Sequence, residues 1–335
     1  MRAAIYGLGG LELTADERQF FKDSDPAGFV LFKRNCGNQD QLLRLTDSLR
    51  SLSGRDDVLI MIDQEGGRVA RMRPPEWPSF PAAEKFANLY RAAPSSAIEA
   101  VRANGRALAL MLRSVGVNVN ALPLLDVRQE GASDIIGDRS FGSDPMQVAA
   151  LGRAVLDGMA SAGVVGIVKH MPGHGRALVD SHKDLPVVTA SAQELETDLE
   201  PFERLSAAPM GMTAHVVYTA WDAERPASLS HIVIHDIIRE RIGFGGLLMS
   251  DDLGMDALQG DFGSRAAGVI AAGCDLALHC SGKMDEMIAV AAVVPPISAD
   301  CEARLARAMA GTRIDLDNVD FAEEIAKRDM LLALA

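Results

Sequence analysis

The sequence predicts a single-domain (β/α)₈ TIM barrel, an α/β fold in which eight parallel strands alternate with helices. Eight short apolar segments of strand length are separated by segments with helical periodicity. Strict alternation of strands and helices implies a parallel sheet, and eight such strands close into a barrel. The 335 residues suit one such domain, and no shift in composition marks a linker. We therefore expect one domain over residues 1–335, with C-terminal helices from about 283 to 335 packed on the barrel.

The predicted strands lie at residues 3–8, 28–32, 57–63, 117–125, 164–168, 209–215, 246–251 and 275–279. Helical patterns cover residues 17–21, 38–52, 98–115, 193–205, 231–241 and 264–272. Another helix is expected to begin near Pro145, because proline suits the first helical turn. Ser191 and Glu194 have the spacing of a capping box. The alternative is a doubly wound open sheet, but residues 7–10 match its glycine-rich phosphate loop poorly.

Composition and charge exclude several classes of function. The chain has 33 Lys and Arg against 46 Asp and Glu, a formal charge of −13, which repels nucleic acids and anionic lipid surfaces. No apolar run is long enough to cross a membrane, and the first residues do not resemble a signal peptide. Four cysteines lack metal-binding spacing, which is typical of reduced thiols. We expect a cytoplasmic protein that binds neither nucleic acid nor membrane.

Polar side chains recur where the predicted strands end. In a (β/α)₈ barrel the active site lies at these carboxyl ends. The residues that close or directly follow strands are Asp63, Asp126, Lys169, His170, His215, Asp251, Asp252 and His279. The loop after the fifth strand adds His174, Asp180 and His182 within a stretch containing proline and glycine. This recurrence predicts an active site at that end of the barrel.

Three reaction classes fit such a site. Metal-assisted hydrolysis would use four histidines as ligands, namely His170, His174, His182 and His215. This class is disfavoured because the first strand lacks the expected His-x-His pair. Phosphate-ester chemistry would need glycine-rich late loops, for which Gly254 and Gly282 are weak support. Glycosyl transfer needs one carboxylate beside the anomeric carbon and one proton donor for the leaving oxygen, and Asp251 supplies the carboxylate.

Six motifs occur in an order that resembles glycoside hydrolase family 3. They are IDQEGGRV at 62–69, PLLDV at 123–127, DRSFG at 138–142, KHMPGHG at 169–175, DSH at 180–182 and SDDLGM at 250–255. The resemblance covers roughly residues 3 to 290. Within the family it is to the single-domain bacterial β-N-acetylglucosaminidases of peptidoglycan recycling.

The resemblance implies a role for each matching residue. Asp251 would be the nucleophile that forms a covalent glycosyl-enzyme. His182 would be the general acid/base, oriented by Asp180, because an imidazole titrates near neutrality and exchanges protons in both directions. Asp252 is not expected at the reacting carbon, because adjacent strand residues point to opposite faces. The residues that would hold the sugar are Asp63, Arg71, Arg139, Lys169 and His170.

Other polar residues receive structural interpretations. Glu65 and Asp126 are expected to support the site or to form ion pairs. His174, His215 and Met255 would line or brace the pocket, and Asp275 and His279 would be structural. His231 and His235 lie four residues apart on a predicted helix, where a solvated face is the simpler account.

The implied activity is retaining exo-cleavage of N-acetyl-β-glucosaminides, with GlcNAc-1,6-anhydroMurNAc and its muropeptides as the small-molecule sugar substrates. We expect a monomer with no cofactor and no metal. A phosphorylase on the same scaffold is an alternative, since a histidine acid/base repels an incoming phosphate less than a carboxylate does. A silent sugar-binding barrel and a metal-dependent barrel hydrolase remain further alternatives.

Overall fold

The computed structural model of the protein describes residues 1–181, 184–314 and 320–334. Within these ranges, eight parallel strands form a closed barrel in which sequence neighbours are also spatial neighbours, and β8 pairs with β1. The strands are β1 (Arg2–Gly7), β2 (Pro26–Leu31), β3 (Leu59–Ile62), β4 (Val119–Asn120), β5 (Val165–Met171), β6 (Met210–Thr213), β7 (Leu247–Asp252) and β8 (Leu276–His279). The predicted fold class is therefore confirmed.

The helices lie between and after the strands. They are α1 (Ala15–Ser24), α2 (Gln39–Ser53), α3 (Ala83–Ala92), α4 (Pro94–Ser114), α5 (Pro145–Ala160), α6 (Ala192–Arg204), α7 (Phe262–Ala272), α8 (Met284–Ala291), α9 (Ala299–Ala310) and α10 (Phe321–Leu332). A π-helical segment (Val233–Arg241) follows β6, and short 3₁₀ turns occur at Lys33–Asn35, Gly137–Arg139 and Ala227–Leu229. Every helix in the described ranges is too short or too polar to cross a lipid bilayer.

The continuous apolar runs of the strands follow from burial on both faces. In β3, Leu59 and Met61 pack inside the barrel, whereas Ile60 and Ile62 pack in the layer between strands and helices. A parallel sheet covered on both faces favours such runs over alternation with polar residues. The same burial explains why short apolar segments identified the strands.

Local signals at the helix starts agree with the structure. α5 begins at Pro145, and the Asp144 side chain caps it by accepting hydrogen bonds from two backbone amides. Ser191 and Glu194 form the predicted capping box at the start of α6. Two helical segments differ from expectation: α3 lies in a segment without a predicted helix, and the segment at Val233–Arg241 is π-helical rather than α-helical.

Two strands near the site differ in length from the prediction. The ladder of β4 is limited to Val119–Asn120, because Pro123 has no N–H to donate to a neighbouring strand. β5 instead continues to Met171, since the Lys169 amide donates to the Pro123 carbonyl and Ala214 donates to Met171. Lys169 and His170 therefore belong to the strand itself.

A small sheet and the C-terminal helices surround the barrel. Three short strands that the sequence pattern did not reveal form this sheet: Val187–Val188, Val217–Tyr218 and Asp222–Pro226. Helix α10 packs on α4, where Arg106 pairs with Glu324 at 2.9 Å. The last described helix therefore adds to the layer of helices around the barrel.

Candidate active site

A cavity of about 210 Å³ opens at the carboxyl ends of the barrel strands. It lies where the barrel geometry places active sites. Six residues singled out from the sequence line it: Asp63, Arg71, Arg139, Lys169, His170 and Asp251. Asp180 is half-buried on the loop after β5, next to Ser181, which also lines the cavity. His182 lies outside the described residues.

Lys169 is the centre of an ion-pair network on the cavity wall. Its Nζ lies 2.7 Å from Glu65 Oε1 and 3.0 Å from Asp63 Oδ1. Arg139 donates to both oxygens of Glu65 at 2.8 Å, and Arg71 Nη2 donates to Asp63 Oδ2 at 3.2 Å. Glu65 is thus the ion-pair partner expected from the sequence, and it orients two cations rather than one.

Charge pairing keeps this network ionised despite burial. Burial raises the pKa of Asp63, but Lys169 and Arg71 outweigh it and hold that pKa well below its usual range. In the same way, burial opposes ionisation of Glu65, yet Lys169 and Arg139 lower its pKa to about 2. Burial disfavours the Lys169 charge, but Glu65 and Asp63 raise the pKa of its ammonium. The wall therefore presents fixed charged donors and acceptors, which suit a hydroxyl-rich ligand.

Asp126 orients His170 and the loop that follows β5. Its Oδ2 lies 2.7 Å from His170 Nδ1, and its Oδ1 accepts from the backbone amide of His174 at 2.7 Å. Burial opposes the charge of Asp126, but His170 and His174 lower the pKa of the carboxyl. An ionised carboxylate accepts hydrogen bonds only, so Nδ1 of His170 carries the proton. This hydrogen bond fixes the orientation of the His170 ring in the cavity wall.

His174 connects the loop after β5 to Ser181. The side chain is 3 % exposed, and its Nε2 lies 3.2 Å from Ser181 Oγ. Burial and the nearby His170 lower the pKa of His174 to about 4, so it is neutral at physiological pH. Gly175 allows the loop to pack closely, since a Cβ there would lie 1.9 Å from the Val127 carbonyl oxygen. The loop is therefore held against the barrel directly before Asp180.

Both aspartates at the end of β7 line the cavity, which corrects the expectation that Asp252 points away from it. The pairing register of β7 with β8 shifts between Met249 and Asp252, so side chains do not alternate regularly there. Asp251 Oδ1 accepts from the Asp252 amide at 2.8 Å. The Asp252 carboxylate accepts from the amides of Gly254 and Cys280 at 3.0 and 3.1 Å. Asp252 is thus held by backbone groups, which is a structural role at the cavity edge.

The remaining histidines and acids occupy the places expected of supporting residues. Met255 lines the cavity, whereas His215 is fully buried and bonded to the Asp252 carbonyl. Asp275 pairs with two arginines, and His279 is fully buried beside Ser281. His231, just before the π-helical segment, and His235 within it stack their rings with centroids 5.4 Å apart.

Sequence patterns did not identify several residues of the cavity wall. Phe32 lies under the guanidinium of Arg71, with 4.9 Å from the ring centroid to the Arg71 Cζ, and Arg34 approaches the same ring at the same distance. Ser181 and Cys280 also line the cavity. The only sequence signal for them was position, because each follows a strand or lies within a quoted motif. Their roles depend on contacts between distant parts of the chain.

The described residues of the site are engaged in ion pairs and hydrogen bonds with one another. In the part of the chain that the structure describes, no group of three or more His, Cys, Asp or Glu side chains is placed to hold a metal ion. His170 and His174 are instead engaged with Asp126 and Ser181. The site is an arrangement of ion pairs and hydrogen bonds around Asp251.

Comparison with known proteins identifies the family. Residues 3–309 match the model described as the glycosyl hydrolase family 3 N terminal domain. The β-hexosaminidase of Methylococcus capsulatus is 40% identical over 282 residues, covering 83% of this chain and 82% of that protein. The β-hexosaminidase of Bordetella avium is 35% identical over 328 residues, covering 96% of this chain and 93% of that protein.

The fold and the family agree with a solved structure. The crystal structure of NagZ from Neisseria gonorrhoeae in complex with N-trifluoroacetyl-D-glucosamine has a TM-score of 0.86 and 32% sequence identity to this chain. The similarity covers 100% of this chain and 98% of that one. The chain therefore belongs to glycosyl hydrolase family 3 and is a glycoside hydrolase related to the β-hexosaminidases.

Proposed function

We propose that this glycoside hydrolase is a retaining exo-β-N-acetylglucosaminidase. Its substrates would be GlcNAc-1,6-anhydroMurNAc and the corresponding muropeptides, released in cell-wall recycling in the cytoplasm. The observation that carries the proposal is the position of Asp251, which shares one cavity with the Lys169 ion-pair network. The names of the β-hexosaminidase relatives support an N-acetylhexosamine as the sugar that is removed.

In the proposed reaction, the Asp251 carboxylate attacks the anomeric carbon, and the bond from that carbon to the aglycone oxygen breaks. His182 gives its proton to the leaving oxygen, and Asp180 stabilises the imidazolium form beforehand. Water then attacks the glycosyl ester, His182 takes its proton, and the Asp251 carboxylate is released. Two displacements at one carbon retain the β configuration.

The cavity wall would hold the sugar through hydrogen bonds from charged side chains. Asp63 accepts from hydroxyl groups, whereas Lys169, Arg71 and Arg139 donate to hydroxyl or N-acetyl oxygens. His170 adds a ring nitrogen, Nε2, as a further polar group, because its Nδ1 is held by Asp126. The volume of about 210 Å³ is below the roughly 300–1,000 Å³ of typical ligand pockets, which supports a site for one terminal sugar.

The first test is hydrolysis of an aryl N-acetyl-β-glucosaminide by the purified protein, beside the matching aryl β-glucoside. We expect cleavage of the first and little of the second, and a β-anomer as the first product in an NMR time course. The same comparison is then made with GlcNAc-1,6-anhydroMurNAc. Binding without cleavage of any substrate would contradict the proposal and favour a sugar-binding barrel.

Two further measurements distinguish the proposed hydrolase from a phosphorylase and from a metal-dependent hydrolase. Product analysis with and without inorganic phosphate distinguishes hydrolysis from phosphorolysis, since a phosphorylase releases GlcNAc-1-phosphate. Activity that survives exhaustive chelation excludes a metal-dependent route. We expect free GlcNAc in both buffers and full activity after chelation.

A further inference from the structure

We infer that Asp252 and His215 are positioning residues that hold the Asp251 carboxylate in its reactive direction. The inference deepens the proposed function, because it rests on Asp251 as the nucleophile. Neither residue is expected to touch the sugar's reacting carbon. They act through the backbone at the end of β7, which contacts the segments that follow β6, β7 and β8.

A β-bulge creates the arrangement. Met249 pairs with Leu276 and Asp252 pairs with Leu278 on β8. Two residues on β7, Ser250 and Asp251, thus lie opposite one residue on β8. An extra residue of this kind bends a strand and redirects a side chain, and it is frequent next to active sites. Here it allows Asp251 and Asp252 to line the same cavity.

The Asp252 side chain holds the bulge from two directions. Its Oδ1 accepts from the Gly254 amide at 3.0 Å, within the loop after β7, and from the Cys280 amide at 3.1 Å, directly after β8. The Asp252 amide in turn donates to Asp251 Oδ1 at 2.8 Å. The orientation of the Asp251 carboxylate is therefore coupled to the peptide plane that Asp252 fixes.

His215, two residues after the end of β6, holds the same residue. Its Nε2 lies 3.0 Å from the Asp252 carbonyl oxygen, and its Nδ1 lies 2.6 Å from Ser228 Oγ. A carbonyl oxygen only accepts, so Nε2 carries the proton and Nδ1 accepts from the Ser228 hydroxyl. His215 and Ser228 are both 0 % exposed, and burial lowers the pKa of His215, which agrees with a neutral ring in one tautomer. Each of the two hydrogen bonds that link Ser228 to Asp252 through His215 therefore has a defined donor and acceptor.

The energetic consequence follows from the geometry of attack. A nucleophile reacts from about 3–3.5 Å with aligned orbitals, and a displacement of about 1 Å costs about 10²-fold in rate. Without the His215 hydrogen bond or the hydrogen bonds of the Asp252 side chain, the backbone of the bulge would no longer be fixed. The Asp251 carboxylate would then move by a distance of this order. Binding of the sugar depends on other residues, chiefly Asp63 and Lys169, and should not change.

The test compares disruptive and conservative variants of each residue. Asp252→Ala removes the acceptor for Gly254 and Cys280, whereas Asp252→Asn retains an acceptor oxygen of the same geometry. His215→Leu removes the donor to Asp252, whereas His215→Gln places an amide N–H near the position of Nε2. We expect kcat on an aryl N-acetyl-β-glucosaminide to fall about 10²-fold for Ala and Leu, and most of it to return for Asn and Gln.

Two readouts separate positioning from general damage. The first is the Kd for GlcNAc, which we expect to stay within about threefold of the parent. The second is covalent trapping by a 5-fluoro analogue of N-acetylglucosaminyl fluoride, whose rate should fall as kcat does. If a disruptive variant fails to fold, Ser228→Ala provides the milder change, because it removes only the hydroxyl that fixes the His215 tautomer; its trapping rate should also fall.

Asp256→Ala is the matched control, since this exposed carboxylate lies in the same loop four residues after Asp252. Its kcat should equal that of the parent. The inference is wrong if Asp252→Ala keeps kcat within about threefold, or if kcat and GlcNAc affinity fall together with the melting temperature. An active parent with an inactive Asp251→Asn variant and unaffected Asp252 variants would remove this inference alone. A parent that cleaves no N-acetyl-β-glucosaminide would remove the proposed function with it.

Discussion

The Lys169 ammonium on β5 lies 2.7 Å from a carboxylate oxygen of Glu65 in the loop after β3, although strand β4 lies between β3 and β5 in the barrel. Both side chains are almost completely buried. Such a contact requires the whole barrel to close, because the two residues are more than a hundred positions apart in the chain. It also keeps two charges ionised in the wall of the cavity, where a sugar would meet them.

The first prediction concerns Asp251. Replacing it with alanine or asparagine should abolish turnover of N-acetyl-β-glucosaminides, because the proposed reaction forms its glycosyl ester on this carboxylate. Circular dichroism and GlcNAc binding should match the parent. Asp256→Asn is the control for a lost carboxylate in the same loop. Activity near that of the parent in Asp251→Ala would show that the nucleophile is misassigned.

The second prediction concerns His182 and its proposed partner Asp180. His182→Ala should slow a natural substrate more than an aryl glycoside with a good leaving group, because such a leaving group needs little protonation. General acid/base catalysis contributes about 10²–10⁴-fold, which bounds the loss on the natural substrate. Asp180→Asn should show the same leaving-group dependence. Equal losses on both substrates would indicate a structural role, and His231→Ala on the helix surface is the control.

The third prediction concerns the buried ion pair of Lys169. Lys169→Met leaves Glu65 and Asp63 without their shared cation, and removing one partner of a buried pair costs about 3–5 kcal/mol. The free energy of unfolding in urea should fall by this amount, and kcat/KM should fall with it, since the wall loses a sugar donor. The double variant Lys169→Met/Glu65→Gln should be less destabilised than the single one, because fewer charges stay unpaired.

Lys283→Met is the control for this measurement. Lys283 also pairs with a glutamate, Glu286, at 2.9 Å, but its side chain is 68% exposed. Exposed pairs contribute about 0–1 kcal/mol, so stability and activity should hardly change. Equal effects of the two substitutions would mean that burial does not determine the strength of the Lys169 network.

The fourth prediction concerns the pH dependence of stability at His174. Burial lowers its pKa in the folded protein from 6.5 to about 4. Between these values the unfolded chain binds a proton that the folded chain does not, so the free energy of unfolding decreases as the pH falls. The slope from this residue is at most about 1.4 kcal/mol per pH unit, and it is steepest midway between the two pKa values. The contribution is fully present above pH 6.5 and is lost toward pH 4.

His174→Gln should remove that slope, because glutamine does not titrate, while an amide N–H can still reach Ser181. The unfolded imidazole is already half protonated at pH 6.5. Urea unfolding at about pH 6.5 and pH 5.5 should therefore show a difference about 1 kcal/mol smaller for the variant than for the parent. The same slope in both proteins would mean that His174 is protonated equally in the folded and unfolded states.

Sequence patterns predicted the barrel well because its strands are buried on both faces. Burial on both sides leaves continuous apolar runs, and polar residues at the strand ends therefore stood out. The end of β4 was less predictable, because Pro123 interrupts the ladder without ending the extended chain. The segment Ala83–Ala92 was not predicted as a helix, because its first turn has no side-chain cap to mark the start.

Within the site, the chemistry of single residues was readable from the sequence, whereas their partners were not. Asp63, Lys169 and Asp251 were identified from their positions at strand ends. That Glu65 bridges Lys169 and Arg139 depends on the approach of three separate loops and strands, which no local pattern encodes. The alternation rule failed at Asp252 because a bulge shifts the register there.

The sequence by itself determined the fold class, the end of the barrel where chemistry is placed, and the motifs that mark the family. These properties follow from hydrophobic periodicity and from residue types at strand ends, which are local. Tertiary structure alone decided which charges neutralise one another and which way Asp251 is held. These properties depend on distances of about 3 Å between residues far apart in the chain, and only closure of the barrel sets such distances.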